Sequence, residues 1–162
     1  MAGAFTEADN LLYSNPCHRL TSIAGIFQRL VPYAATHGLR LVRVNMRDYR
    51  GSSKFTEEEL AAITDGDADS QAAVFKDMGL QVAAFLEHFS KKHAIPRITE
   101  SNGKARGGIV LLAWSMGCIF ATSMLGHALS LPESTKESLD QYLRTVILHG
   151  ERYAFLSTRQ LR

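Results

Sequence analysis

Apolar positions along the chain switch between two spacings. At Phe75, Met78, Val82, Phe85, Leu86 and Phe89 they recur at three- and four-residue steps. That spacing lays one stripe along a helix opening at Asp69 or Ser70. Gly79 weakens this helix by about 1 kcal/mol. Pro96 lies just past its end, where a helix cannot continue. From Ile109 to Trp114 the run IVLLAW has no polar position, the pattern of a parallel-sheet strand buried on both faces. Met116 to Leu129 is apolar nearly all round, which predicts a buried helix.

Weaker signals fill the rest of the chain. Pro32 fits the first turn of a helix, PYAATHG, that ends at Gly38. HGLRLVRVN, His37 to Asn45, predicts a partly buried strand. NMRDYRGSS then reads as a loop, with Asp48, Gly51, Ser52 and Ser53 as turn formers. Thr56 with Glu59 is a capping box opening a short helix through Ile63. ITESNGKARGG reads as a polar loop. A last helix, capped at Ser134, precedes a short strand from Thr145 to Leu148. Helices and strands therefore alternate. The alternation predicts an α/β fold with a parallel sheet flanked by helices and right-handed crossovers. Active crevices in such sheets lie at the carboxyl ends of strands. Asn45, Trp114 into Ser115, and Leu148 into His149 are expected to end there.

Composition narrows the function classes. The 162 residues predict one domain. A net charge of +2 gives no footprint for nucleic acid or an anionic membrane. Arg40, Arg43, Arg47 and Arg50 are spread over the strand and its loop and share no face. No basic leader or signal-length apolar run opens the chain. No stretch reaches the roughly 20 apolar residues of a membrane span. Cys17 and Cys118 predict free thiols in a reducing, cytoplasmic setting, with Cys118 a buried, inert one.

The candidate chemistry sits where the buried strand meets the buried helix. A nucleophile elbow is a strand, a tight turn bearing the nucleophile, and a helix. It wants small residues two before and two after that nucleophile, because strand and helix nearly touch. Here the motif is A-W-S-M-G, with Ser115 at the turn and Ala113 and Gly117 at the small positions. The helix N-terminus would set its partial positive charge beside Ser115, and the Met116 N–H could bind an oxyanion. The competing interpretation is that Ser115 is an N-cap on a core helix and does no chemistry.

Two passages resemble the α/β-hydrolase family. IVLLAWSMGCIFA looks like its elbow strand, nucleophile and elbow helix. LVPYAATHGLRLVRVNMRDYRGSSKFT looks like its first helix, fourth strand and the D-x-x-G-x-S loop that follows. The resemblance spans about Leu30 to Leu148. It implies an incomplete α/β-hydrolase fold, three-layer αβα, lacking the expected first and last strands. It implies a serine hydrolase acting on an ester or related acyl bond, without cofactor or metal. The family's second oxyanion donor comes from a His-Gly loop, and Tyr13 and Ser14 would stand in that place here. Its chain order is Ser, acid, His. Downstream of Ser115 the candidates are His127, His149 and Glu151. His149 is expected to be a solvent-facing strand-end residue and not the base, leaving triad acid and His unassigned.

Other motifs fall short. DGDADSQAAVFK has Ser70 where a calcium loop needs Gly and Lys76 where it needs Glu. SNGKARGG precedes a strand, whereas a phosphate loop follows one. Cys17 and His18 lack further nearby ligands for zinc. The expectation is a serine hydrolase with a small-molecule ester or acyl substrate. The alternative is a non-catalytic hydrolase-like module binding a small apolar ligand or a partner chain. Exposed sheet edges predict self-association.

Overall fold

The structure is a computed structural model that describes residues 6–7, 27–49, 51–150 and 155–156. Cys17, Tyr13, Ser14, Arg50 and Glu151 lie outside the described residues. The chain forms two compact units, Met1–Leu60 and Ala61–Arg162.

In the first unit, β1 (Thr6–Glu7) pairs antiparallel with β2 (Val44–Asn45). The strand expected over His37 to Asn45 is thus much shorter and lies in an antiparallel pair. A 3₁₀ turn at Phe27–Leu30 leads into α1 (Val31–Thr36), with Pro32 in its first turn. The loop after β2 is closed by its own backbone. Asp48 N–H donates to the Ser53 carbonyl at 2.9 Å, and Ser52 N–H to Tyr49 at 2.9 Å. The helix α2 (Glu57–Asp65), only the start of which belongs to this unit, opens on the expected capping box. Glu59 N–H donates to Thr56 Oγ1 at 3.2 Å, and Thr56 N–H to Glu59 Oε2 at 2.7 Å. Arg47 clamps this start. Its guanidinium donates to both Glu59 oxygens and to the Lys54 carbonyl, and lies 4.5 Å from the Phe55 ring centre.

The second unit holds the parallel strands. The helix α3 (Ala68–Lys92) starts one residue before the expected Asp69, because Asp67 is its N-cap and accepts from Ser70 N–H at 2.8 Å. Met78, Leu86 and Phe89 of the expected stripe are buried, but the buried face also includes Gly79, Ala83 and Ser90. Gly79 lets α4 (Gly117–Gly126) approach closely. A Cβ on Gly79 would lie 2.6 Å from Met124 N and 2.7 Å from Ser123 C. Gly79 therefore serves the contact between helices, at the propensity cost foreseen for it.

The segment expected as a loop is a hairpin. β3 (Thr99–Ser101) and β4 (Lys104–Arg106) pair antiparallel around Asn102 and Gly103, which have φ 53° and 71°. Two left-handed residues make the turn whose twist suits a two-residue hairpin, and Asn-Gly is its strongest sequence signal. Alternation in the strands is masked because all six residues are exposed.

β5 (Ile109–Trp114) has the expected bounds and runs parallel to β6 (Leu143–His149), while β7 (Phe155–Leu156) adds antiparallel to β6. The sheet is therefore mixed, in the order β5-β6-β7. The expectation that β5 is buried on both faces fails among the described residues. Ala113 is buried, yet Val110 and Leu112 are 42% and 40% exposed. One face carries Ala113, Val146 and Leu148 into the core with Cys118, Ala121 and Met124 of α4. On the other face Val110 and Leu112 are exposed while Trp114, Thr145 and Ile147 are half-buried. Likewise α4 buries only one side, with Ile119 exposed, and ends at Gly126 before a 3₁₀ turn at Ala128–Ser130. The helix α5 (Glu133–Tyr142) has Pro132, not Ser134, at its N-cap, and no side chain caps it. It is pinned to α3 by Thr135, which donates to Glu87 Oε2 at 2.6 Å.

Candidate active site at the end of the parallel strands

Because β5 and β6 run parallel, both carboxyl ends lie on one rim. Trp114 is the register partner of His149, so Ser115 follows at the mouth of the pair. The Ser115 N–H donates to the His149 carbonyl at 3.0 Å, carrying the ladder one residue beyond the strand. The chain then reverses direction into α4 in two residues.

That reversal requires an unusual backbone. Ser115 has φ 53°, in the left-handed region, which costs a side-chain-bearing residue roughly 1–2 kcal/mol. Among the described residues three other non-glycine residues share the sign of φ, and each has a local reason. Asp48 and Asn102 are in turns. Ala94 closes α3, with the Ile95 N–H donating to the Ser90 carbonyl at 3.0 Å. Ser115 stands instead between a strand and the start of a helix, where N-cap residues are normally extended. Met116 is the N-cap of α4, with φ −57°, and no side chain caps the helix. The N-cap interpretation of Ser115 therefore does not fit: its hydroxyl bonds no α4 amide.

The first turn of α4 is tight. Cys118 N–H donates to the Ser115 carbonyl at 2.9 Å and Ile119 N–H to Met116 at 3.0 Å. The amides of Met116 and Gly117 donate to no backbone carbonyl among the described residues. Ser115 and Met116 are exposed, and Gly117 is half-buried. Ser115 and the two residues that carry these amides follow one another at this turn. The steric reason expected for Gly117 is not present: a Cβ there would meet no heavy atom within 4 Å among the described residues. Ala113 is buried beneath the turn, 7% exposed, as a position close to the helix requires.

The thiol of Cys118 lies under the elbow. It is 2% exposed and reaches the Ala113 carbonyl at 3.4 Å and the His149 carbonyl at 3.7 Å. The burial expected of this thiol is observed. Its signal was its place three residues after Ser115, on the first turn of the helix.

His149 is exposed at the rim, and its backbone, not its ring, meets Ser115. His127 follows α4 at the opposite end. Its Nδ1 lies 2.9 Å from the Ser123 carbonyl, which can only accept, so the ring donates there. Ser123 in turn gives its proton to the Phe75 carbonyl at 2.7 Å. This Ser-His pair fastens α4 to α3 and has no hydroxyl free for chemistry. Among the described residues no group of three His, Cys, Asp or Glu could hold a metal ion. No helix among them is long and apolar enough to cross a membrane.

No family model, curated protein or solved structure matches this chain.

Proposed function

We propose that Ser115 is the nucleophile of an acyl-transfer site and that the protein is a serine hydrolase acting on an ester or related acyl bond. The observation that carries this reading is the left-handed φ of 53° at Ser115, between a parallel strand and a helix start. Strain of this kind clusters at functional sites, and a strained strand-to-helix turn is how an elbow exposes its serine. The amides of Met116 and Gly117, which donate to no backbone carbonyl among the described residues, support an oxyanion site, where one donor is typically worth about 10²- to 10³-fold in rate. In the reaction Ser115 Oγ bonds the acyl carbon, the bond to the leaving alcohol breaks, and the hydroxyl proton ends on that alcohol. Water then releases the acid. In this reading the parallel pair and its helices belong to an incomplete α/β-hydrolase fold of three layers. The triad acid and base are unassigned. A serine hydroxyl without a base is a weak nucleophile, so modest turnover is expected.

A second reading has its own observation. Val110 and Leu112 expose one face of β5, and β5 is an edge strand among the described residues. This favours a non-catalytic module that binds an apolar ligand, a partner chain or its own copy. Hydrolysis of p-nitrophenyl butyrate separates the two. The hydrolase reading expects turnover that Ser115→Ala abolishes; equal rates for both proteins favour the binding module.

A further inference from the structure

We propose that Cys118 is a positioning residue for Ser115, a role that rests on the reading of Ser115 as nucleophile. A left-handed serine persists only where its surroundings over-determine it. Besides the Ser115 N–H bond to the His149 carbonyl, three contacts at this elbow come from one residue. Cys118 N–H holds the Ser115 carbonyl at 2.9 Å. Its thiol reaches the carbonyl of Ala113, two residues before the serine, at 3.4 Å. The same thiol reaches the carbonyl of His149 at 3.7 Å, and His149 is also the acceptor for Ser115 N–H.

Cys118 therefore grips the serine, the strand that delivers it and the neighbouring strand that steadies it. One thiol proton serves both strand carbonyls as a shared, three-centre bond. At 2% exposure no bulk water takes its place. Alanine at this position would keep the backbone bond and lose the link across the two strand ends. Valine would do the same while keeping the volume. Serine would supply a stronger donor, though on a shorter side-chain bond, so it restores the link only in part. Sulfur is a weak donor, so the effect on Ser115 is modest, roughly 3- to 10-fold in reactivity.

The test compares wild type, Cys118→Ala, Cys118→Val and Cys118→Ser by the rate of Ser115 labelling with a fluorophosphonate. Amide hydrogen exchange at Ser115 and urea midpoints are read in parallel. Labelling 3- to 10-fold slower in both the alanine and valine variants supports the proposal. So do faster exchange of the Ser115 amide in those two variants and partial recovery by serine. A merely structural role would track the urea midpoint, which valine and alanine shift differently. Wild-type labelling rates in both Cys118→Ala and Cys118→Val overturn the proposal. Absence of any label on the wild-type protein overturns the nucleophile reading instead. Exchange at Ser115 then decides the positioning role alone: faster exchange in Cys118→Ala supports it and unchanged exchange overturns it.

Discussion

Gly79→Ala is expected to destabilise the second unit, against its effect on helix propensity. Alanine in a helix interior is favoured over glycine by about 1 kcal/mol, so at an exposed site the change would stabilise. At position 79 the added carbon would sit 2.6 Å from Met124 N, 2.7 Å from Ser123 C and 2.8 Å from Ser123 Oγ. Ordinary contact begins at 3.4 Å, and two of these three atoms are backbone, so no side-chain rotation relieves them. The helices α3 and α4 must part by roughly 0.8 Å, and a gap of that order forfeits a quarter to a half of each dispersion contact across it. Overpacking of this kind costs about 1–3 kcal/mol. Displacing Ser123 also endangers its 2.7 Å bond to the Phe75 carbonyl, worth about 1 kcal/mol. After the propensity gain, the expected net loss is about 1–3 kcal/mol. Urea unfolding at pH 7 measures it, with Ala84→Gly as a control on the same helix. Ala84 is exposed, so its substitution should lose about 1 kcal/mol through propensity alone. A Gly79→Ala protein as stable as wild type, or more so, would refute the close approach of α3 and α4.

Two further predictions concern strain and acid. Ser115→Gly should be more stable than Ser115→Ala by about 1 kcal/mol, because only glycine occupies φ 53° freely; equal urea midpoints would remove the strained elbow. The carboxyl of Glu87 is held below its ordinary value by the Lys91 ammonium and then by the Thr135 hydroxyl. A lowered folded pKa contributes stability above the unfolded value, near about 4.3, and loses it as pH falls through the folded value. Glu87→Gln should therefore be less stable than wild type at pH 7 and converge with it below about pH 4. Parallel stability curves from pH 7 to pH 3 would contradict that assignment.

Long elements with strong patterns were legible in the sequence, and close approaches were not. Periodicity found α3 and β5, since a stripe of large apolar residues or an unbroken run marks a buried segment. Counting large residues missed Gly79, which lets the two helices touch through lack of bulk. The hairpin at Asn102 and Gly103 was missed because its strands are fully exposed and show no alternation. The strand at His37 to Asn45 was overestimated because β-branched and leucine-rich composition cannot report how long a partner strand is. β5 looked buried on both faces because apolar sequence does not say whether a second layer covers it. At the candidate site the serine, its neighbour Met116 and the small Ala113 were legible. The crowding expected at Gly117 is missing, since no described atom crowds it. The double reach of the Cys118 thiol depends on β6 lying beside β5, a non-local pairing that spacing along the chain does not encode.

Intact-protein mass after treatment with diisopropyl fluorophosphate tests the nucleophile at Ser115 most directly. One covalent adduct, mapped to Ser115 and missing from Ser115→Ala, is the expected result. An unmodified wild-type protein, or an adduct that survives the substitution, would contradict it.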